Sequence, residues 1–481
     1  MQSYISIENA VARIPEFQFK SPLNWKLKGH DHWAVIGPNG AGKTLFSNYL
    51  TGKTALKEGS VTGKTENGRP LYEMIKSASF TDIYSTTDYK NMYYQQRWNS
   101  AREDSVPSVR DLINKGEDNE TSRELFSLFQ IEELLDKKLI LLSSGELRKF
   151  LIIRMLLSGP RVLILDNPYI GLDAPSRKLL NELFVQLAES QQVNIILLLS
   201  DPKDIPSIIN KVLPVLNKEC LPEMSTSDFL GNASLMNRLF PVLSLPTIPS
   251  DIESETANRE SVLDMQNINI IYGKRTILKN LHWKISRGER WALLGPNGAG
   301  KSTLLSLIYA DNPQAYANRF SLFGRKRGTG ESIWDIKQRI GYVSPEIHLY
   351  YQKDILCKHI VSSGFFDSIG LYKQCTPEQT EKVRDTMKLF EIEHLSETSF
   401  LKLSFGEQRL VILARAFVKN PELLILDEPL HGLDKTNKVL VTRIITDFCT
   451  PKEKSLIYVT HYPEELPPVI QYQLILKKEA N

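Results

Sequence analysis

The feature that most constrains this chain is an internal repeat, because a chain that repeats its motifs in order repeats a domain. The glycine-rich segment GPNGAGKT, Gly37 to Thr44, recurs as GPNGAGKS, Gly295 to Ser302. The segment LSSGE, Leu142 to Glu146, recurs as LSFGE, Leu403 to Glu407, at nearly the same separation. The sequence therefore predicts two copies of one domain rather than a single large domain.

Two more motif pairs locate the copies along the chain. An apolar run ends at Asp166 in the first copy and at Asp427 in the second, and Gly-Leu-Asp comes shortly after each run. The pairs predict domains over 1–216 and 262–481. Between them, 217–261 contains four prolines and the polar run SDIESETANRES, which predicts a partly extended linker. The alternative is that the apolar residues of this segment pack on the first domain.

Apolar runs of strand length occur at corresponding places in both copies. The runs 32–36 and 290–294 precede the glycine-rich segments, and the runs 193–199 and 455–459 lie near the end of each copy. Apolar runs without polar alternation are typical of strands buried in a parallel sheet. Because strands and helical stretches alternate, the sequence predicts an α/β fold in each copy, with a mostly parallel sheet and helices on both faces.

Composition excludes several classes of function. The 59 Lys and Arg residues nearly balance the 56 Asp and Glu residues, so the net charge of +3 gives no support for bulk nucleic-acid binding, although a local patch would survive it. The four cysteines form no Cys-x-x-Cys pair, which argues against a disulfide framework or a zinc site. The apolar runs are shorter than the roughly 20 residues that span a bilayer, and the first residues lack the apolar run of a signal peptide. We therefore expect a cytoplasmic protein.

The glycine-rich segments match the pattern G-x-x-x-x-G-K-[ST] behind a strand, which forms a phosphate-binding loop. Glycines let backbone N–H groups turn toward phosphates, and the N-terminus of the next helix favours an anion. Lys43 and Lys301 are expected to reach the β- and γ-phosphates, while Thr44 and Ser302 bind Mg²⁺. A glycine-rich turn without a ligand is the alternative, and the second match disfavours it. The predicted nucleotide-binding residues are Gly37, Pro38, Asn39, Gly40, Ala41, Gly42, Lys43, Thr44, Gly295, Pro296, Asn297, Gly298, Ala299, Gly300, Lys301 and Ser302.

Asp166 and Asp427 each end an apolar strand, which places their carboxylates at the edge of the sheet where α/β folds bind ligands. We expect both to belong to the Mg²⁺ shell. An ordinary turn aspartate is the alternative, and the phosphate loops upstream disfavour it.

The order of these motifs resembles that of the ATP-binding-cassette (ABC) ATPases, and the resemblance covers both halves apart from the linker. It implies ATP and Mg²⁺ as cofactors, ATP hydrolysis, and a helical subdomain that carries the L-S-x-G-E signature. It also implies that the two cassettes pair head to tail within the chain, each signature serving the ATP held by the other cassette. The residues in these roles are Ser143 and Gly145 for the second ATP, Ser404 and Gly406 for the first, and Tyr272 as the aromatic that stacks on adenine.

Two of these motif residues also have ordinary structural interpretations. A serine with a glutamate three residues later is a common helix cap, although the duplicated context favours the signature. Tyr272 is otherwise a half-buried strand tyrosine.

The copies differ where the resemblance places catalytic side chains. Glu428 matches the carboxylate that polarises the attacking water, and Asn167 stands at that position in the first copy. His461 matches the histidine that contacts the γ-phosphate, and Ser200 is its counterpart. An amide cannot accept a proton at neutral pH, so we expect the site built on the first phosphate loop to bind ATP but to hydrolyse it poorly. The predicted catalytic residues are Glu428, His461 and Lys301.

The second copy resembles a narrower group, the ModF-type double ATPases associated with bacterial molybdate transport genes, in the segments 321–344 and 365–370. This resemblance implies an ATPase that energises or regulates the transport of molybdate or another oxyanion with separate integral-membrane subunits, on the cytoplasmic face of the inner membrane. The alternative is a soluble nucleotide-driven switch that acts on ribosomes, nucleic acid or a regulator.

Departures from the family bear on both interpretations. The glutamine that touches Mg²⁺ and faces a membrane partner is missing after Ser344, where Pro345 and Glu346 stand instead, and this weakens the transport interpretation. The proline-broken linker and the motifs IGLD and HGLD disfavour a ribosomal role. The basic run Arg325 to Arg327 fits a phosphate or an acidic partner, but a solvated turn is the interpretation that so short a run favours.

Overall fold

The computed structural model describes residues 5–63, 71–79, 108–112, 123, 126–127, 131–137, 142, 144–190, 193–241, 260–272, 275–345, 347, 351 and 354–478. These residues form two compact units. The first contains most of the chain up to Val242, and the second contains most of the chain after that residue.

The first unit contains a parallel core sheet and a smaller antiparallel sheet. Its strands are β1 (Ile5–Ala12), β2 (Leu23–Leu27), β3 (Trp33–Ile36), β4 (Leu56–Gly63), β5 (Ile75–Ser79), β6 (Val162–Asp166), β7 (Asn194–Leu199), β8 (Lys211–Leu216), β9 (Glu219–Cys220) and β10 (Met224–Ser225). The antiparallel sheet has the order β2-β1-β4. In the core sheet β5, β6, β7, β3 and β8 run parallel in that order, and the short strands β9 and β10 add to β8 in antiparallel fashion.

Helices of the first unit cover both faces of the core sheet. They are α1 (Lys43–Leu50), α2 (Leu71–Met74), α3 (Ser144–Leu156), α4 (Ala174–Glu189), α5 (Thr226–Gly231) and α6 (Ala233–Leu239). Strand β3 is buried at every position, as an apolar strand within a parallel sheet is. Trp33 and Val35 face the cluster that contains Phe46 of α1, whereas Ala34 and Ile36 face the cluster that contains Phe150 of α3. This alternation fixes the phosphate-loop helix on one face and the signature helix on the other.

The second unit repeats this arrangement. Its strands are β11 (Ser261–Tyr272), β12 (Arg275–Ser286), β13 (Arg290–Leu294), β14 (Phe320–Leu322), β15 (Arg325–Lys326), β16 (Ile340–Val343), β17 (Leu423–Asp427), β18 (Ser455–Val459) and β19 (Tyr472–Ile475). The antiparallel sheet has the order β12-β11-β14-β15, and the parallel sheet has the order β16-β17-β18-β13-β19. The parallel order matches β5-β6-β7-β3-β8 strand for strand, so the predicted duplication and the α/β fold with parallel sheets are confirmed.

Helices of the second unit pack in two hydrophobic clusters. The helices are α7 (Lys301–Ile308), α8 (Ile333–Arg339), α9 (Cys357–Ser362), α10 (Pro377–Leu389), α11 (Phe405–Phe417) and α12 (Lys435–Phe448). One cluster contains α7 and α8 and the other contains α9 to α12, and both clusters include strand residues. Buried residues of α9, α10 and α11, among them Ile360, Met387 and Leu413, pack together and against β17 through Leu424 and Leu426. The signature helix α11 is therefore packed between the other helices and the sheet, as the predicted helical subdomain requires.

The segment between the predicted domains is structured up to residue 241. Its helices α5 and α6 bury Phe229, Leu239 and Phe240 in the same cluster as the strands and helices of the first unit. The sequence left open whether these apolar residues pack on the first domain, and the structure shows that they do. The polar half of the segment, 242–259, lies outside the described residues.

Candidate active sites

The first phosphate loop connects β3 to α1 and closes around a lysine. Lys43, the first residue of α1, donates from Nζ to the carbonyl oxygens of Gly37 at 2.7 Å and Pro38 at 2.8 Å. Gly37 must lack a side chain, because a Cβ there would lie 2.0 Å from the carbonyl oxygen of Val215 in β8. Burial lowers the pKa of Lys43 to about 8, against the opposing effect of the Asp166 charge.

The second phosphate loop has the same geometry between β13 and α7. Lys301 Nζ donates to the carbonyl oxygens of Gly295 at 2.7 Å and Pro296 at 3.1 Å. Gly295 has a φ of 145°, and a Cβ there would lie 2.6 Å from the carbonyl oxygen of Leu476. Both lysines sit in the first turn of a helix, where backbone N–H groups are not used within the helix and favour an anion.

Each unit has a hydroxyl in the helix after the phosphate loop and a carboxylate at the end of a core strand, which are groups suited to a divalent cation. Thr44 Oγ1 donates to Asp166 Oδ2 at 2.8 Å, and Asp166 is the last residue of β6. Burial raises the pKa of Asp166, against the opposing effects of the Thr44 hydrogen bond and the Lys43 charge. In the second unit Ser302 comes after Lys301 in α7, and the buried Asp427 ends β17. Hydroxyl and carboxylate oxygens are the donor set that Mg²⁺ prefers.

Glu428 and His461 form a buried pair next to this position in the second unit. His461 Nε2 lies 3.3 Å from Glu428 Oε1, and both side chains are almost fully buried. Burial, together with the smaller effect of the Asp427 charge, raises the pKa of Glu428 to about 8. Without a cation beside it the buried carboxyl group therefore favours its neutral form, and a positive charge next to Asp427 would favour the carboxylate that a general base requires.

Arg409 holds the backbone around Glu428, and sequence reasoning missed it. From the signature helix α11 its guanidinium donates to the carbonyl oxygens of Asp427 at 3.0 Å, Glu428 at 2.7 Å and Ser344 at 3.0 Å, and also to Pro429 at 3.3 Å. Only the rigid fork of arginine offers donors in so many directions.

Comparison of the two copies would have pointed to this arginine, because each copy has an arginine at the same position. Arg148 stands at the same distance behind the first signature as Arg409 behind the second. Its Nη1 donates to the carbonyl oxygen of Pro168 at 2.6 Å, which is the counterpart of Pro429. A buried arginine that recurs in both signature helices indicates a positioning role.

The first unit carries neutral side chains where the second carries Glu428 and His461. Asn167 Nδ2 donates to Asp166 Oδ1 at 3.0 Å, so its amide is directed at the predicted metal ligand. Ser200 Oγ lies 3.1 Å from Asn39 Oδ1 and 3.4 Å from Asn167 Oδ1. These contacts bring Asn39, Asp166, Asn167 and Ser200 together. At the positions of Glu428 and His461, Asn167 and Ser200 supply neither a carboxylate nor an imidazole.

The second signature begins α11 with a complete capping box. The Ser404 N–H donates to Glu407 Oε2 at 2.8 Å, and the Glu407 N–H donates to Ser404 Oγ at 3.4 Å. Gly406 is buried within the first turn of the helix. In the first signature Gly145 lies within α3, whereas Ser143 lies outside the described residues. The helix-cap interpretation thus describes Ser404 correctly, and it leaves the role of the signature untested.

Tyr272 ends β11 and is half-buried. Asn312 Nδ2 donates to its hydroxyl at 2.9 Å, and the ring packs at the edge of the cluster that contains Leu278 and Ala299 of the phosphate loop. The structure places this aromatic at the end of a strand, and its stacking on adenine stays a prediction.

Comparison with known proteins agrees with this geometry. Residues 21–170 and 278–431 each match the family model described as ABC transporter. The chain is 35% identical over 458 residues, 93% of its length and 91% of the relative, to the ABC transporter ATP-binding protein ModF of Escherichia coli (strain K12). It is 28% identical over 98% of its length and 97% of the relative to an uncharacterized ABC transporter ATP-binding protein of Schizosaccharomyces pombe.

Solved structures share the fold. The archaeal ribosome recycling factor in complex with a ribosomal stalk protein aligns with a TM-score of 0.55 over 97% of this chain and 87% of that chain. A structure described as RNase-L inhibitor aligns with a TM-score of 0.54 over the same shares. Both are 18% identical in sequence, so the likeness concerns the tandem fold alone.

Proposed function

This chain belongs to the ABC transporter family and is an ATPase with two tandem cassettes, and we propose that it hydrolyses ATP at the site of Glu428 and His461 alone. The observation that carries the proposal is a difference between the two cassettes: Glu428 follows β17 in the second, and Asn167 follows the equivalent strand β6 in the first. Comparing steady-state ATPase of Glu428→Gln with that of Asn167→Gln tests it.

In the proposed mechanism Lys301 binds the β- and γ-phosphates at the N-terminus of α7. Glu428 accepts the proton of the attacking water, and His461 holds that carboxylate and contacts the γ-phosphate. Arg409 fixes the backbone of Glu428 through carbonyl hydrogen bonds of 2.7–3.0 Å. General-base catalysis of this kind contributes about 10²–10⁴ in rate.

We assign Mg²⁺ to Ser302 and Asp427 in the second cassette and to Thr44 and Asp166 in the first. When bound, the ion would neutralise part of the negative charge on the phosphate oxygens. The 2.8 Å contact between Thr44 and Asp166 supports this assignment because it brings a hydroxyl and a carboxylate oxygen to one point. Tyr272 is proposed to stack on the adenine of the ATP held by the second cassette.

The first cassette is proposed to hold ATP through many cycles without cleaving it. Its phosphate loop and Lys43 have the geometry of the second loop, so the binding groups are complete. Asn167 and Ser200 lack the base and the imidazole that cleavage requires. In the ATP-bound state the two cassettes would pair head to tail, Ser404 and Gly406 serving this ATP and Ser143 and Gly145 serving the other.

We further propose that the ATPase energises or regulates transport with separate integral-membrane subunits on the cytoplasmic face of the membrane, the cargo being molybdate or another oxyanion. The full-length likeness to an ABC transporter ATP-binding protein supports a transport role, and the resemblance to ModF-type ATPases in segments 321–344 and 365–370 supports the cargo. Across the part of the chain that the structure describes, no helix combines the length and apolar character needed to cross a bilayer.

Affinity purification with Glu428→Gln tests the transport role, because a protein that retains ATP should also retain its partner. The bait is purified in parallel from solubilised membranes and from cytosol, with wild type as the matched control. Enrichment of polytopic membrane subunits supports the proposal. Enrichment of ribosomes or of a soluble regulator in place of membrane subunits would support the switch interpretation instead.

A further inference from the structure

The turn that carries His461 is closed at its base by a buried tyrosine. Tyr458 lies in β18 and is fully buried, and its hydroxyl donates to the carbonyl oxygen of Glu465 at 3.1 Å. Inside the turn, the Tyr462 N–H donates to Thr460 Oγ1 at 3.0 Å, and the Glu465 N–H donates to the carbonyl oxygen of Tyr462 at 3.0 Å. These hydrogen bonds join residues before His461 to residues after it, so the turn is closed around the histidine.

An ion pair fixes the same turn to α12. Lys438 lies in the first turn of this helix, and its Nζ is 2.8 Å from Glu465 Oε1, with both side chains mostly buried. The carbonyl oxygen of Glu465 therefore binds Tyr458 while its carboxylate binds Lys438. Because both groups of one residue are restrained, the turn is held against the strand and the helix together.

The first unit contains the ion pair at the equivalent positions. Arg177 Nη1 lies 2.8 Å from Asp204 Oδ1, and these residues stand at the same places in the repeat as Lys438 and Glu465. The residue types differ in both partners, yet the contact is kept. The ion pair is therefore part of the shared fold of the two units.

The tyrosine, in contrast, is replaced in the first unit by Leu197. This leucine lies between β3 and β6 at the same register at which Tyr458 lies between β13 and β17, and both residues are fully buried. The strand thus packs at this position without a hydroxyl, and burying one costs free energy unless it is hydrogen-bonded. The turn behind Leu197 carries Ser200, whereas the turn behind Tyr458 carries His461.

His461 needs such support because its contact with Glu428 depends on the position of the turn. Its Nε2 lies 3.3 Å from Glu428 Oε1, and the two residues come from different strands of the sheet, β18 and β17. A group misplaced by about 1 Å at a reacting centre can cost about 10²-fold in rate. Hydrogen bonds from neighbouring side chains are the usual means of holding such a group in place.

We infer that Tyr458 is a positioning residue for hydrolysis, which holds His461 beside Glu428 by closing the turn together with Glu465 and Lys438. The inference rests on the proposed function, since it assumes that ATP is cleaved at Glu428 and His461. The alternative is a tyrosine that serves the fold alone. That alternative predicts a change in stability without a change in the rate of cleavage when the hydroxyl is removed.

Single-turnover ATP hydrolysis by the full chain tests the inference with Tyr458→Phe, which removes the hydroxyl and keeps the ring. The rate of cleavage should fall about tenfold because His461 is held less firmly. The dissociation constant of ATP should stay within about twofold of wild type, since the phosphate loop is untouched. Equilibrium binding of labelled ATP measures this constant, and urea unfolding shows that the variant is folded.

The ion pair offers a second variant and a conservative rescue. Lys438→Met should lower the rate by a similar factor, whereas Lys438→Arg/Glu465→Asp, which copies the pair of the first unit, should cleave ATP like wild type. The matched control is Arg177→Met, which breaks the pair of the first unit and should leave the rate unchanged.

The His461→Ala protein shows whether Tyr458 acts through the histidine. If it does, adding Tyr458→Phe to His461→Ala should cause no further loss of rate, because the group that the tyrosine positions is already gone. Losses that multiply in the double variant would show that the tyrosine acts independently of His461, and the inference would be wrong.

Two further results would overturn the inference while leaving the proposed function intact. One is a rate in Tyr458→Phe within about twofold of wild type when His461→Ala is strongly impaired. The other is an equal loss in Lys438→Met and Arg177→Met. A wild-type rate in His461→Ala is a different outcome, because it would contradict the proposed function and the inference together.

Discussion

Asn167 and Glu428 adopt the same left-handed backbone conformation, with φ angles of 50° and 52°, directly behind strands β6 and β17. The N–H of Asn167 donates to the carbonyl oxygen of Leu198 at 3.0 Å, and the N–H of Glu428 donates to that of Val459 at 3.0 Å. Both contacts join the residue to the neighbouring parallel strand. The two positions therefore differ in side-chain chemistry and not in backbone geometry.

Glu428→Gln should remove nearly all steady-state ATP turnover while ATP still binds. The amide keeps the shape of the carboxylate but cannot accept the proton of the attacking water, so kcat should fall by about 10²–10⁴. Coupled-assay kinetics give the loss of turnover, and equilibrium binding of labelled ATP gives the affinity.

Asn167→Gln is the matched control, because it changes the same backbone position in the other cassette. Its kcat should remain within about twofold of wild type, since the residue it replaces supplies no base. Wild-type turnover in Glu428→Gln would show that the active site has been assigned to the wrong cassette.

One intact ATP per chain should remain bound after the other has been cleaved. In the proposed mechanism the first loop holds phosphates through Lys43 but lacks a base, so we expect its nucleotide to stay bound and to stabilise the bound state by mass action. Mass spectrometry or filter binding after a single round measures the ratio of ATP to ADP.

Lys43→Ala should abolish this retained ATP, and Lys301→Ala should abolish turnover while retaining it. If single-turnover experiments on wild type show both nucleotides cleaved at similar rates, another group must replace the missing glutamate beside Asn167.

Arg409→Lys should lower kcat more than it lowers ATP affinity. A lysine ammonium cannot reach the carbonyl oxygens of Ser344, Asp427 and Glu428 together, so Glu428 loses its orientation while the phosphate loop is untouched. We expect a loss of at least about tenfold in kcat with a small change in the dissociation constant. Arg148→Lys, its counterpart in the first unit, should leave kcat near wild type. Equal losses of kcat in both variants would contradict a positioning role.

The free energy of unfolding of the nucleotide-free protein should depend on pH through Glu428. Its pKa is raised from 4.5 to about 8 by burial and by Asp427. A carboxyl group with a raised pKa stabilises the fold fully below its unfolded value, and this contribution is lost as the pH rises through about 8. Between these values wild type should lose up to about 1.4 kcal/mol per pH unit relative to Glu428→Gln, which cannot titrate.

Urea unfolding in EDTA at several pH values measures this difference for the transition of the second unit. A constant difference between wild type and Glu428→Gln across this range would show that Glu428 is already ionised in the folded protein.

The sequence predicted the fold well because the constraints are local and occur twice. The apolar run WAVI at Trp33 forms a strand that is buried at every position. At Gly37 and Gly295 a side chain would collide with a neighbouring carbonyl oxygen. The packing of Phe229 on the first unit was left open because an apolar residue in a proline-rich segment does not reveal which surface will cover it.

The side-chain network around the sites was only partly predictable. Motif spacing predicted Lys301, and the resemblance to the ABC ATPases predicted Glu428 and His461, which the structure brings within 3.3 Å of each other. Neither identified Arg409, whose partners are carbonyl groups that every residue carries. The sequence also did not predict that Arg327 is buried while Arg325 and Lys326 are exposed. Its partner Glu331 is recognisable only once the loop is folded.

Arg409 also affects whether ATP binding or ATP hydrolysis becomes possible first while the second unit folds. Its guanidinium joins the carbonyl of Ser344, 65 positions earlier in the chain, to those of Glu428 and Pro429. Contacts between such distant positions form only after the intervening chain has been ordered, since closing long loops costs entropy. The phosphate loop around Lys301 is closed by contacts five and six residues apart and can form early. A partly folded chain should therefore bind ATP before it can cleave it, and hydrolysis begins only when α11 has docked.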